Sequence, residues 1–499
     1  MKLLLISIHQ QDIEEFKKAP TDISALGVRY LSSHLKSRGH KINLLFLPKP
    51  YGQEENREEL NQINSLILKL SPDLIGISLM SNNFFRAKAV TKAIKDEINV
   101  PIIWGGIHPT IEPENCLNYA DLVCVGEGEI ALENLLRMRL NKIDDLNIRG
   151  IWYKKNNQAV DKGAGPLIQN LGDISYPDYN LADHYIIHDG RLVPMSTDIF
   201  KQYYPASAGD HRLISTRGCL HACAYCCNSV FKSMYGGNYL RKRLVDEVID
   251  EMMEARRQFP FVRSFKLMDD SFTANSLDWL KEFSRQYKDK VNLPFFCLVS
   301  PTTINQEKID ILIDCGLKIV QMGLQSGSDR INKEIYLRYI TSNKFLEVVR
   351  MLDKYRDKLE LTIDVIIDNP YEKEEDLLKT ISVLNQIKRP FRLALYSLAF
   401  YPGTELYKRI VKDKILIDNK EYLYKEFHLF RKKYLNKIIF LIPYLSKERV
   451  GYFVSKRQRI LVKFYLNLLF FVYLNKNKFP FLFLRKIISL IKKKSSRIE

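Results

Sequence analysis

Over the first 140 residues, short and almost wholly apolar runs alternate with amphipathic ones. Lys2 to Ile8, Lys41 to Leu47, Leu74 to Met80, Pro101 to Gly106 and Leu122 to Gly126 read as strands, and the segments from Leu26, Glu54, Phe84, Glu112 and Glu129 read as helices. Strands without a polar face must be covered on both sides. The pattern therefore predicts an α/β unit over residues 1–140: a doubly wound parallel sheet, flavodoxin-like or Rossmann-like. Ligands of such sheets bind beyond the carboxyl ends of the strands, near the topological switch point. Here those ends carry Ser78-Leu79-Met80-Ser81-Asn82, Gly105-Gly106-Ile107-His108-Pro109-Thr110 and Gly126-Glu127-Gly128-Glu129. Small residues there let a bulky ligand approach the backbone.

From 141 to 210 the pattern breaks up under Asn, Asp, Gly and Pro. Arg149 to Tyr153 followed by Lys154-Lys155-Asn156-Asn157 predicts a hairpin, and the rest reads as a linker. Between 211 and 415 regularity returns. Six strand-like runs, Leu213 to Thr216, Ser264 to Met268, Pro294 to Val299, Ile319 to Leu324, Leu361 to Ile367 and Leu393 to Phe400, alternate with helical segments such as Leu244 to Arg257 and Leu377 to Ile387. Six β/α repeats predict a partial, TIM-like (β/α)6 barrel with its chemistry at the carboxyl ends of the strands.

Charge sets the last segment, 416–499, apart. Between Arg431 and Glu499 there are 18 Lys and Arg against two Glu, a net +16, which leaves only about +2 of the chain's +18 for the first 430 residues. The body is near neutral, and whatever the basic charge does belongs to the tail. Its most apolar stretch, Ile460 to Leu474, is too short to span a bilayer, which takes about 20 residues. Phe479 to Ile491 is broken by Pro480, Arg485 and Lys486. Amphipathic helices packed on the body, peripheral binding to an anionic membrane through 431–499, and nucleic-acid binding compete as readings; no base-reading motif accompanies the charge. Eight cysteines and no secretory signal argue against a disulfide framework and for a cytoplasmic, reducing location, with the inner face of a membrane as the alternative.

The strongest chemical signal is Arg217-Gly218-Cys219-Leu220-His221-Ala222-Cys223-Ala224-Tyr225-Cys226-Cys227-Asn228. Three cysteines at Cys-x3-Cys-x2-Cys spacing leave the first barrel strand. One loop can wrap three thiolates around a metal centre, and thiolates are the ligands iron-sulfur clusters take. Zinc is disfavoured, because no second ligand pair stands at zinc-site spacing.

This spacing, with Tyr225 in the aromatic slot, resembles the signature of the radical S-adenosylmethionine (SAM) enzymes. The resemblance implies a [4Fe-4S] cluster on Cys219, Cys223 and Cys226, one iron left open for SAM, and Cys227 as a bystander. It also implies SAM contacts from Tyr225, from Asp269 and Asp270 after the second strand, from Gln325 and Ser326 after the fourth, and from Arg338 as a carboxylate clamp. On the fifth strand Asp368 stands where the family has a glycine. Asp364 and Asp368 are therefore candidate substrate contacts, with a solvent-facing turn as the alternative.

Leu26-Gly27-Val28-Arg29-Tyr30-Leu31, Arg38-Gly39-His40, Gly76-Ile77-Ser78, the Gly105 to Thr110 run and the Gly126 to Glu129 run resemble the cobalamin-binding domain ahead of the core in one large radical SAM subfamily. Cobalamin contacts are expected from Ser78, Met80, Ser81, Asn82, Gly105, Gly106, Ile107, His108, Gly126, Glu127 and Gly128. His9 lacks the flanking residues of the Asp-x-His-x-x-Gly motif that ligates cobalt, so it reads as a structural histidine. The resemblance, over about residues 1–415, implies methyl transfer to an unactivated carbon of a small-molecule or lipid-like substrate, with an electron donor such as flavodoxin or ferredoxin. The alternatives are a cobalamin-dependent radical cyclase or rearrangement enzyme, and a non-catalytic membrane-associated module. A methylthiotransferase is disfavoured, since only Cys116 and Cys124 precede the core.

Overall fold

A computed structural model describes residues 1–11, 23–138, 146–203, 209–236, 239–415 and 430–474. The first sheet has nine strands: β1 (Lys2–Gln11), β2 (Lys41–Pro50), β3 (Leu74–Ser78), β4 (Ile102–Gly105), β5 (Leu122–Cys124), β6 (Ile151–Lys155), β7 (Gln158–Val160), β8 (His184–His188) and β9 (Arg191–Pro194). Their order is β7-β6-β5-β4-β3-β1-β2-β8-β9. The five predicted strands form its parallel centre, β1 pairing with β2 on one side and with β3 on the other. The switch point therefore falls between β1 and β3, where a doubly wound sheet opens for a ligand. Leu3, Leu4, Leu5 and Ile6 are all buried, because helices cover both faces.

The segment read as a linker does more than connect. The hairpin β6–β7, turning through Asn156 and Asn157 at φ 51° and 61°, extends one edge of the sheet antiparallel to β5. At the other edge β8 joins β2 in parallel and β9 turns back along it.

The second sheet holds β10 (Asp210–Leu213), β13 (Ser264–Leu267), β14 (Phe295–Val299), β15 (Leu317–Gln325), β16 (Glu360–Ile367) and β17 (Arg392–Ser397), all parallel and in sequential order, as a partial barrel requires. The first strand lies earlier than the apolar run suggests. Thr216–Arg217 leaves the barrel as β11 and pairs antiparallel with β12 (Arg241–Lys242), so the cysteine loop is the excursion between them.

The described part of the tail packs on the barrel. Helices Tyr434–Leu441, Lys447–Ser455 and Ile460–Leu474 bury Leu435, Ile438, Ile439, Phe453, Leu466 and Phe470 in the continuous core, the first two against the helix Glu374–Gln386 and the third against Tyr434–Leu441. The run Phe479 to Ile491 lies outside the described residues.

Candidate active site

A cavity of about 440 Å³ lies between the two sheets. One wall is the carboxyl end of the first: Gly76, Ile77 and Ser78 in the last part of β3, Gly105 at the end of β4 with Gly106 and Ile107 beyond it, and Gly126, Glu127, Gly128 and Glu129 after β5. The facing wall belongs to the barrel: Thr216, Arg217 and Gly218 at the root of the cysteine loop, Phe231, Tyr235 and Tyr239 just beyond it, and Met268 and Asp270 after β13.

The glycine wall is backbone and space. Gly106 and Gly126 take φ of 99° and 90°, which side chains rarely adopt. A Cβ on Gly106 would meet the Leu79 carbonyl oxygen at 2.9 Å, and one on Gly126 would overlap the Tyr235 hydroxyl. Thr110 ties the two loops together, its hydroxyl donating to the Gly106 carbonyl at 2.8 Å and accepting the Gly126 N–H at 3.0 Å. Seven of the expected cobalamin contacts line this wall: Ser78, Gly105, Gly106, Ile107, Gly126, Glu127 and Gly128.

Met80, Ser81, Asn82 and His108 do not. His108 is fully buried beneath its loop, Nδ1 sharing a hydrogen bond with Ser81 at 3.1 Å and its ring edge-on to Phe84; burial pushes its pKa down to about 4. Those two residues hold the loops rather than face the cavity. Met80 is half exposed outside the lining. His9 Nε2 meets the Ser7 hydroxyl at 2.9 Å, and burial lowers its pKa to about 3, as suits a structural histidine. Among the described residues no histidine lines the cavity.

Ion pairs tie the walls together. Arg217 reaches Glu129 at 2.7 Å and Glu127 at 3.4 Å, and Arg241 holds both Glu127 oxygens at 2.6 and 2.9 Å. The loop that closes β5 is thus fixed to β11 and β12, the two strands from which the cysteine loop springs.

Cys219, Cys223 and Cys226 all lie on that loop. Among the described residues no three His, Cys, Asp or Glu side chains converge on a single ion; a four-iron cluster instead takes each thiolate on a different iron. Burial pushes the Cys219 thiol up to about 12 and raises Cys223, the latter opposed by the Arg338 guanidinium and a hydrogen bond with Tyr225. Cys226 is raised by a hydrogen bond with Cys227 and by burial. Cys227 begins the helix Cys227–Tyr235, whose Phe231 and Tyr235, one turn apart, stack with Tyr239 as an aromatic slab on the cavity wall.

The expected SAM contacts divide. Asp270 faces the cavity, and burial raises its pKa to about 6. Asp269 points the opposite way: its Oδ1 accepts the Ser215 N–H and the hydroxyls of Ser215 and Thr216 at 2.6 to 3.0 Å, so it braces the cysteine loop from behind. Tyr225 and Arg338 gather at Cys223 on the barrel side. The Tyr225 ring stands edge-on to Tyr336, and Arg338 donates to the Gly323 carbonyl at 2.8 Å. Gln325, at φ 64°, bends the chain after β15 beside Gly323, whereas Ser326 is buried and donates to Glu372 at 3.1 Å.

Asp364 bonds to Gln321 at 2.7 Å on the neighbouring strand. Asp368 is neither a substrate contact nor a solvent-facing turn. It is buried and accepts from Ser397 at 2.7 Å and from the Arg431 N–H and Asn436 side chain at 2.8 Å each, so it anchors the tail. Its φ of 63° is one that glycine meets without strain.

Sequence reasoning passed over Arg217, Thr110, Phe231, Tyr235 and Tyr239. The i, i+4 spacing of Phe231 and Tyr235 directly after the cysteines was the readable signal.

A doubly wound sheet shares one cavity with a partial barrel, and the three-thiol loop springs from the barrel side of that cavity, the layout of an iron-sulfur enzyme with a second cofactor domain. Two family models agree: "B12 binding domain" matches residues 16–136 and "Radical SAM superfamily" matches 213–384. The chain belongs to the radical SAM superfamily, in the group whose core follows a B12-binding domain. It is an enzyme of that group, with a [4Fe-4S] cluster, SAM and cobalamin as its cofactors. An uncharacterized methyltransferase of Pyrococcus horikoshii is 25% identical over 400 residues, 79% of each chain. Cytidylyl-2-hydroxyethylphosphonate methyltransferase of Streptomyces wedmorensis is 23% identical over 375 residues, 68% of this chain and 67% of that protein. Among solved structures, the radical SAM methyltransferase TsrM from Kitasatospora setae, with tryptophan and a SAM analogue bound, superposes with a TM-score of 0.63 at 16% identity, over 83% of this chain and 76% of that one.

Proposed function

We propose that the protein transfers a methyl group from SAM to an unactivated carbon of a small-molecule or lipid-like substrate lying between the two walls. The observation that carries this reading is that the glycine strand ends and the root of the cysteine loop bound one cavity. When bound, the cluster and cobalamin supply the electron that splits SAM and the methyl group that is passed on. The chain's own residues hold the reacting partners. Cys219, Cys223 and Cys226 present three thiolates, with Cys227 left out. Arg338, beside Cys223, offers a cation to the SAM carboxylate, and the acceptor-only carboxylate of Asp270 suits an ammonium. Gly105, Gly106, Gly126 and Gly128 leave room for the corrin face. Leu5, Ile77, Ile103, Ile107 and Ile214 with the aromatic slab keep water from the reacting carbon and favour an apolar substrate. Methyltransferases among the relatives and the tryptophan held by TsrM support a small organic substrate. A flavodoxin or ferredoxin serves as reductant, at a cytoplasmic site or at the inner face of a membrane.

The test supplies anaerobic holoenzyme, a reductant and methyl-labelled SAM to an extract of small molecules and lipids. Label should enter an extracted product. Turnover to 5′-deoxyadenosine with an unlabelled product would replace methyl transfer by cyclisation or rearrangement.

A further inference from the structure

The helix Ile460–Leu474 is apolar or aromatic at every position but Lys463 and Asn467, and only one of its faces is buried. Val462, Leu466, Leu469, Phe470 and Val472 face the core, whereas the opposite strip is exposed to different degrees: Ile460 is 82% exposed, Leu461 70%, Phe464 69%, Phe471 55%, Leu474 45% and Leu468 36%. At 100° per residue these six fall on one face centred on Phe464 and Phe471, with Asn467, which accepts a hydrogen bond from Lys437 at 2.7 Å, near the edge of that face. A helix this rich in apolar residues belongs against a core or lipid, and an exposed apolar strip of this size marks a contact surface.

Charge decides between occupants. Lys463 stands at the edge of the strip, and Lys456 and Arg459 precede it. All three are exposed and, among the described residues, have no acidic partner. They belong to a segment with net charge +16. A second copy would bring the same positive surface against itself, and the strip offers nucleic acid aliphatic groups where it needs donors. An anionic bilayer meets both halves of the pattern, taking Phe and Leu below the headgroups and Lys and Arg among them. At 15 residues the helix is about 22 Å long, short of the roughly 30 Å of a bilayer core, and among the described residues no helix is long and apolar enough to cross a membrane.

We infer that the outward face of Ile460–Leu474 is a membrane-docking surface, lying in the plane of an anionic bilayer with Phe464 and Phe471 inserted. This deepens the peripheral-membrane part of the proposed function, and its test does not depend on methyl transfer.

Full-length protein is sedimented with vesicles of phosphatidylcholine plus phosphatidylglycerol, or of phosphatidylcholine alone. Binding to the mixed vesicles should exceed that to phosphatidylcholine at least tenfold and weaken with salt. The double variant F464D/F471D, altered only at exposed positions, should lose at least tenfold while its circular dichroism and thermal melt stay as in the parent. The pair R459E/K463E should lose binding more weakly, and only to the mixed vesicles. The inference is overturned if the parent stays in the supernatant with both vesicles, if F464D/F471D binds as the parent does, or if sedimentation velocity shows a dimer that this variant dissociates, since the strip would then be covered by another copy.

Discussion

On one side of the cavity Gly105, Gly106, Gly126 and Gly128 contribute backbone and empty space; on the other, the root of the cysteine loop at Thr216, Arg217 and Gly218, with Asp270 and the slab of Phe231, Tyr235 and Tyr239, contributes charged and stacking groups. The glycine wall works by what is missing from it, and substitution there fills a shape. The barrel wall works by what is present, and substitution there removes a chemistry. Glu127 and Glu129 are the exception on the glycine side, and their charges are spent on Arg217 and Arg241 across the cavity.

The largest effect is expected on the chemical wall. Cys223→Ala should reduce 5′-deoxyadenosine formation from SAM under dithionite to background and remove the iron-sulfur absorption while leaving cobalamin uptake as it was. Next comes the shape wall: Gly126→Val should lower cobalamin retention at least tenfold on gel filtration with the iron content unchanged. If either variant lost both cofactors together, the two walls would not be the separate devices described here.

The tie between them ranks third. Breaking the largely buried pair with Arg241→Met leaves Glu127 only the longer 3.4 Å contact with Arg217 among its cations and should cost about 2 kcal/mol in urea unfolding. Asp368→Ala, which removes the acceptor for three donors, should cost about 2 kcal/mol and expose the tail to limited proteolysis before the barrel. The last effect is a dependence on pH that is small within any one pH unit. Burial raises Glu372 from 4.5 to about 8, so between those values the folded chain holds a proton that the unfolded chain releases. Stability should therefore fall as pH rises through that window, by up to about 1.4 kcal/mol per unit. Glu372→Gln should flatten the decline, gaining on the parent from pH 5 to pH 7 in paired urea titrations.

These residues also mark how far the chain could be read beforehand. Apolar runs located every central strand of both sheets, because a strand covered on both faces leaves no polar position to confuse the period. The edge strands β8 and β9 escaped, since β8 pairs with β2 from about 140 residues away. Cysteine spacing and clustered glycines are local signals, and both surfaced. The orientation of adjacent residues did not: Asp269 and Asp270 looked equivalent, yet neighbours leaving a strand turn to opposite sides, and one braces the loop while the other faces the cavity. Asp368 looked like a substrate contact because its true partners, Arg431 and Asn436, lie more than 60 residues on.

The central claim is that two cofactors face one another across this cavity, and the most direct measurement is the visible spectrum of protein purified without oxygen with cobalamin supplied. A corrinoid band beside the broad iron-sulfur absorption, with only the latter lost in Cys219→Ala, is the predicted result. Iron-sulfur absorption with no corrinoid band at any cobalamin concentration would contradict the account.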